Sequence, residues 1–464
     1  MFGTTLAVYF TAILAATCGK AQSIGTWQPE THPKLTWKQC ATSGTGACKE
    51  VQGELTLDAN WRWAHDKTEG SWYNCVQYAE WNVTLCPDGR TCAENCAIEG
   101  VHYKEAYGVT TSSDVLTMKY VTNYEFSSNV GSRLFLMNGS EKYQIFTLLG
   151  NEFSFDVDLS QVGCGLNAAL NFVSMDDDGG LSRYAGNKAG AHYGTGYCDA
   201  NCPRDLKFIN GKGNSEDWIP SYTDNEKGYG GLGSCCTQMA IWSANSMSTS
   251  MAAHPCQRTM QEECTASGCS GKYPVASSRN DGECDDDGCD FNPYRQGNID
   301  FYGPGRVVDT NKKFTVITQF VKGNDGKLKS IRRLYQQGDQ IIANADSSIP
   351  GVGGNAIDSA FCASQKKVFK DPDYFNLQGG IEKMSEALSK GMVLSMSIWH
   401  DDYANMLWLD GTYPTDRSSS EPGVSRGPCS SGSGNPEEIG NGQSNDRVVF
   451  SNFRFGPLNS TFIR

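Results

Sequence analysis

Residues 152–159 read EFSFDVDL. In an extended chain Phe153, Phe155, Val157 and Leu159 fall on one side, while Ser154, Asp156 and Asp158 fall on the other. Alternation of period 2 marks a strand with one face buried and the other polar. The pattern recurs at 314–321 (FTVITQFV) and 447–455 (RVVFSNFRF). Further strands are expected at 115–121, 133–137, 143–149, 169–175 and 392–399, and one helix at 378–390. Many antiparallel strands over this length imply an all-β fold of two packed sheets, a β-sandwich or jelly roll. The connections 205–234 and 257–312 are too long for hairpins. On a sandwich they would wall a groove.

The chain has 464 residues and a net charge of −13. Nucleic-acid binders carry a basic footprint, and no Lys/Arg run of that kind occurs. The acidity also argues against anionic membranes and is neutral toward sugars. Residues 6–17, LAVYFTAILAAT, are apolar but too short to span a bilayer. With Gly19 and Ala21 behind them they predict a signal peptide over 1–21 and a secreted protein starting at Gln22. No linker or repeat divides 22–464, so a single domain is expected; a monomer is expected as well.

Of the 19 cysteines, Cys18 would leave with the leader. The rest can pair completely, as an oxidising compartment favours. Cys198-x3-Cys202 and Cys235-Cys236 have a four-sulfur zinc site as their alternative. The acidic runs at 176–179 and 285–288 lack the spacing of a calcium loop and read as turns. Sequons stand at Asn82, Asn138 and Asn459.

The stretch GSCCTQMAIWSANS (233–246) resembles the catalytic signature of glycoside hydrolase family 7, the cellobiohydrolase and endoglucanase family. Supporting blocks are DANWRWAH (58–65), TLLGNEFSFDVDLS (147–160), YGTGYCDANCPRDLKFING (193–211), CDDDGCDFNPYRQGN (284–298), FYGPG (301–305) and DDYANMLWLDGTYPT (401–415). The resemblance implies a curved antiparallel sandwich, a concanavalin-like jelly roll, with long loops roofing a glucan groove or tunnel. Loops 212–232 and 269–284 have cellobiohydrolase length. The resemblance implies no cofactor and no metal. It also implies the pairings Cys40–Cys48, Cys75–Cys96, Cys86–Cys92, Cys164–Cys429, Cys198–Cys236, Cys202–Cys235, Cys256–Cys284, Cys264–Cys269 and Cys289–Cys362. One bridge common in the family is missing, with Ala97 at one of its positions and no cysteine near Gln22.

Family members cleave β-1,4-glucan with retention, using a Glu-x-Asp-x-x-Glu pattern. The first Glu is the nucleophile, the Asp assists it, and the last Glu is the acid/base. Such chemistry needs two carboxyls about 5–5.5 Å apart. The matching positions here are Gln238, Ala240 and Ser243. An amide neither titrates nor attacks well, a methyl offers nothing polar, and a hydroxyl is no acid near neutral pH. Family sugar platforms correspond to Trp61, Trp63, Trp399 and Trp408, whose rings suit the C–H faces of glucose. Trp61 and Trp63 are expected on one face of a strand. Polar contacts correspond to Asn167, Tyr197, Asp199, Arg279, Asp287, Asp290, Arg295 and Arg426, with His254 near the reaction centre. Asn171, Asn201 and His400 depart from the family pattern.

These readings predict a secreted binder of β-1,4-glucan or a related wall polysaccharide that has lost its chemistry. Two alternatives are an active retaining glucanase with displaced chemistry, using a distant carboxylate such as Asp199, and a structural wall or matrix protein that has kept only the fold.

Overall fold

The computed structural model describes residues 22–464, apart from 42–46, 125–126, 225, 266–267, 270–281, 437–438, 440–444 and 463–464. The expected leader lies outside the described residues. The principal strands are β1 (Lys34–Cys40), β2 (Cys48–Leu57), β3 (Val115–Lys119), β4 (Ser132–Met137), β5 (Asn151–Asp158), β6 (Leu166–Val173), β7 (Gln238–Ala244), β8 (Thr249–His254), β9 (Cys289–Phe291), β10 (Phe314–Lys322), β11 (Leu328–Gln337), β12 (Met392–His400) and β13 (Arg447–Pro457). Two longer helices are α1 (Ser359–Phe369) and α2 (Gly380–Lys390).

The front layer runs β2–β4–β12–β6–β7–β8–β9, all neighbours antiparallel. The back layer runs β3–β13–β5–β10–β11, also antiparallel. Strand β1 pairs with β2 in front and with β13 behind, joining both layers into one 17-stranded ladder. The core lies between the layers. Phe153 meets Phe172 edge-on at 5.1 Å, and Phe155 meets Trp242 at 5.9 Å. Each such pair is worth about 0.5–1.5 kcal/mol beyond the area it buries.

The stretch 152–159 forms β5 with its apolar residues inward, as its alternation requires. Its polar side is not uniformly wet, because Glu152 and Ser154 are also buried. The C-terminal segment covers them. Glu152 accepts hydrogen bonds from the backbone N–H groups of Asn459 and Thr461 and from Gln319 Nε2. The expected strand 143–149 contracts to Ile145–Phe146. The expected helix at 378–390 starts at Gly380, because Gly379 adopts φ 94° and ends the preceding turn.

Every cysteine pairing implied by the resemblance is present. The zinc alternative at 198–236 falls, because all four sulfurs are spent in two bridges. Asp178 caps its own acidic turn, accepting from Gly180 N and Ser182 N.

The N-terminal segment is held at Ala97 without a disulfide. Ser23 and Ile24 pair in parallel with Ala97 and Ile98. The buried carboxylate of Glu99 then accepts from Trp27 N at 3.2 Å and Gln28 N at 3.0 Å. A Cβ on Gly25 would stand 1.7 Å from Glu99 Oε1, so glycine is required there.

Burial pushes the Asp410 carboxyl up to about 6, although its Oδ2 accepts from Gly165 N and Asn245 Nδ2. A folded pKa above the unfolded value favours the folded state in acid. That advantage is lost as pH rises from about 4 to about 6. Asp410→Asn should therefore remove part of the stability change between those pH values, roughly 1–3 kcal/mol. Urea unfolding of both proteins at pH 4 and pH 7 checks it, and identical pH dependence in the two would refute it.

Candidate functional site

The face of the front layer that points away from the core is a grid of paired side chains. One row is Arg133–Ser397–Ala169–Ser243–Ser250. The next is Phe135–Ser395–Asn171–Ala240–Ala252–Asp290. The third is Val393–Val173–Gln238–His254. Gln238, Ala240 and Ser243 thus lie in one column across three rows. Simple alternation would turn residue 243 into the core. A β-bulge between Ala240 and Ser243 prevents this. Ile241 and Trp242 both pack inward at the bulge, so Ser243 returns to the outer face. The buried guanidinium of Arg333 donates to Ile241 O, a carbonyl displaced by the bulge, and lies 5.5 Å from the Trp242 ring centroid.

Around this column the floor is small and uncharged: Ser397, Ala169, Ser395, Asn171 and Ala252. Asn171 Oδ1 and Ser395 Oγ are buried without a protein hydrogen-bond partner. Gln238 Oε1 accepts from Ala200 N at 3.4 Å. The loop bearing Ala200 is fastened to the start of β7 by Cys198–Cys236 and Cys202–Cys235. Those bridges also hold Asp199, which accepts from Tyr197 Oη at 2.7 Å and Asn201 N at 2.8 Å. Burial raises the Asp199 pKa against these bonds and the pull of Arg133. His254, directly across from Gln238, donates from Nδ1 to Asp285 O at 3.0 Å. Burial lowers its pKa, which favours the neutral ring with the lone pair on Nε2. Gly288 seats this ring, since a Cβ there would meet it at 2.6 Å.

At the β9 edge Asp290 and Asp371 both pair with Arg295, and Arg295 Nε donates to Gly423 O. Arg295 holds Asp290 below the usual carboxylate range against burial, which raises it. Arg426 donates to Tyr413 O and Trp408 O, and burial lowers its pKa to about 10. Asp287 is half-buried in the short loop between Cys284 and Cys289. Arg279 lies outside the described residues, as does most of loop 269–284. Asn167 is occupied structurally, its Oδ1 accepting from Ala244 N.

All four expected tryptophans are half-buried. The Trp399 and Trp408 rings lie 6.2 Å apart. Trp61 and Trp63 do not share a strand, contrary to expectation. Asp58 accepts from Asn60 N and starts a 3-10 turn over Ala59–Trp61, so strand alternation does not apply. Trp61 donates to Val130 O, with Arg133 5.2 Å from its ring centroid. Trp63 donates to Asn74 Oδ1 and stacks with His65 at 4.1 Å. Loop 212–232 reaches the segment after Trp399, where Lys227 pairs with Asp402 at 2.6 Å and Ser221 Oγ meets Tyr403 Oη at 2.9 Å.

A family model for glycosyl hydrolase family 7 matches residues 24–462. The chain belongs to that family. A family 7 cellobiohydrolase from Daphnia pulex is 43% identical, with a TM-score of 0.91 over 95% of this chain and 100% of its own. A cellobiohydrolase from Melanocarpus albomyces, solved with cellotetraose, is 44% identical, with a TM-score of 0.89 over 95% and 99%. A Humicola insolens endocellulase is 34% identical, with a TM-score of 0.79 over 95% and 100%.

Two parts of this family 7 site were not legible beforehand. Between Trp61 and Trp63, Arg62 is fully buried on Glu30, Leu57 O and Glu99 O. His400, seen only as a departure, joins Tyr120 Oη at 2.7 Å to the Asp402 that holds Lys227. These networks join residues far apart in the chain, so no local pattern announces them.

Proposed function

We propose that this family 7 chain binds β-1,4-glucan in a roofed groove and does not cleave it. The groove crosses the front layer from Trp61 and Trp63 at the β2 side to Asp290 and Arg426 at the β9 side. Trp399 and Trp408 serve as inner platforms, and the contacts between loop 212–232 and Asp402–Tyr403 close part of the roof. The observation that carries the reading is the central column. Where retaining hydrolysis needs two carboxyls about 5–5.5 Å apart, it presents an amide, a methyl and a hydroxyl. In calorimetry the protein should bind cellohexaose, while a reducing-sugar assay on the same sample shows no product. Release of cellobiose that a groove-carboxylate variant abolishes would refute it.

The second reading, displaced chemistry through Asp199, is favoured by one fact. This buried carboxyl with a raised pKa belongs to the residue before Ala200, whose N–H reaches Gln238, and a raised pKa suits a general acid. Asp290, a described carboxylate of the same face, is held in an ion pair by Arg295, which disfavours it as the nucleophile this reading needs. Any turnover lost on Asp199→Asn would support the second reading.

The same proposal holds that residues 1–21 are removed on secretion and that the mature domain is a monomer. Asn138 is exposed on a turn, and Asn82 is half-buried beside the exposed Val83. Both accept glycans on this reading. Asn459 Oδ1 accepts from Gln319, and its sequon partners Ser460 and Thr461 are buried. Peptide mass mapping should find glycan at Asn82 and Asn138 and none at Asn459.

A further inference from the structure

Two tryptophans outside the family motifs continue outward from Trp63. Trp72 lies 5.9 Å from Trp63 with its ring inclined by only 23°, and Trp27 lies 4.1 Å from Trp72. Trp72 is 65% exposed, Trp27 is 41% exposed, and the neighbouring Tyr73 is 72% exposed. Large rings left this open cost solvation and are uncommon on a surface with no partner. The cluster is also built rather than accidental. Glu99 accepts from Trp27 N and, with its Oε1, pairs with His65 Nε2 at 2.8 Å. His65 in turn stacks on Trp63. One buried carboxylate therefore fixes Trp27 and the support of Trp63 together. Polar groups rim the rings: Asn74 takes the Trp63 N–H, and Ser71 donates to Asp66. Flat apolar faces with a polar rim match a pyranose chain, which offers C–H faces and equatorial hydroxyls. They match a protein partner less well, because a protein anchor wants a concave, dry pocket.

We propose that Trp72 and Trp27 form an outer glucan platform continuing from Trp63, which holds chain beyond the roofed groove. This rests on the groove reading above. A chain long enough to leave the groove gains the added stacking, whereas a short oligosaccharide does not reach it.

The test uses the full mature protein and its Trp72→Ala and Trp27→Ala/Trp72→Ala variants, with circular dichroism and thermal unfolding as controls. Both residues are exposed enough for truncation to spare the core. The probes are cellotetraose and phosphoric-acid-swollen cellulose. Affinity for swollen cellulose should fall about tenfold in the double variant, while cellotetraose affinity stays unchanged. Trp72→Phe should keep most of the cellulose affinity. Equal cellulose binding by parent and double variant overturns the outer platform and leaves the groove standing. Equal losses on both probes also overturn it, because the effect is then not confined to long chains. A parent that binds neither probe overturns the groove itself, and the platform with it.

Discussion

Gln238→Glu, Ala240→Asp and Ser243→Glu together should turn this protein into a measurable glycosidase. The bulge brings all three positions to one face and one column, so on the proposed non-cleaving reading it is side chains that are wanting rather than the backbone that aims them. General acid catalysis alone is worth about 10²–10⁴-fold, and the nucleophile returns with it. Turnover of an aryl cellobioside should rise by roughly 10³-fold or more over the parent. Single restorations should do little, because catalytic groups act as a unit. The gain will fall short of a full enzyme. Asn171 pairs with residue 240, and a reacting geometry off by about 1 Å can cost ~10²-fold. Asn171 nonetheless offers a neutral amide whose oxygen has no protein partner, so flipping the amide to donate to the carboxylate that Ala240→Asp introduces would forfeit no protein hydrogen bond of that oxygen. A folded triple variant that binds cellohexaose and shows no turnover would refute the claim that the scaffold keeps its reactive geometry.

The strands were legible where apolar core-facing residues alternate with polar ones on the other face, which stamps period 2 on the sequence; strands buried on both faces, such as β6 and β7, carry it less plainly. Residues 152–159 and 314–321 show it plainly. The bulge in β7 was not legible from periodicity, because Ile241 and Trp242 are simply two apolar residues in succession. Family resemblance supplied the spacing, and the paired register supplies its cause. The floor was legible only in part. Gln238, Ala240 and Ser243 stood out against a pattern, but Ser395, Ser397 and Ala252 carry no chemistry of their own and matter only as neighbours. Trp72 and Trp27 were illegible for the opposite reason. Lone tryptophans are usually core, and only the exposed stack on Trp63 separates these from that expectation. Glu99, Glu30 and Arg62 look like ordinary surface charges until burial and pairing place them under the tryptophans.

Glu30→Gln should be among the most destabilising single changes in the chain. Glu30 accepts from Arg62 Nη1 at 2.6 Å, Arg62 Nη2 at 3.0 Å and Val101 N at 3.2 Å, and Tyr103 donates to it as well. The amide keeps the shape but leaves a fully buried guanidinium without its counter-charge. Breaking a buried pair from one side costs about 3–5 kcal/mol. Burial pushes the Glu30 pKa up, but Arg62 and the hydrogen bonds outweigh it and leave the carboxyl below its ordinary value. A folded pKa below the unfolded one stabilises the protein above the unfolded value, and the benefit is lost as pH falls through the folded pKa. The gap between parent and variant should therefore be full at pH 7 and shrink below about pH 4, a pH dependence opposite in sign to that expected of Asp410. Denaturant unfolding at both pH values measures it. Because Arg62 sits between Trp61 and Trp63, the variant should also lose affinity for cellohexaose at temperatures where it remains folded. Unchanged stability at pH 7 would show that the guanidinium is satisfied without the Glu30 charge, by Leu57 O, Glu99 O and Thr56 Oγ1.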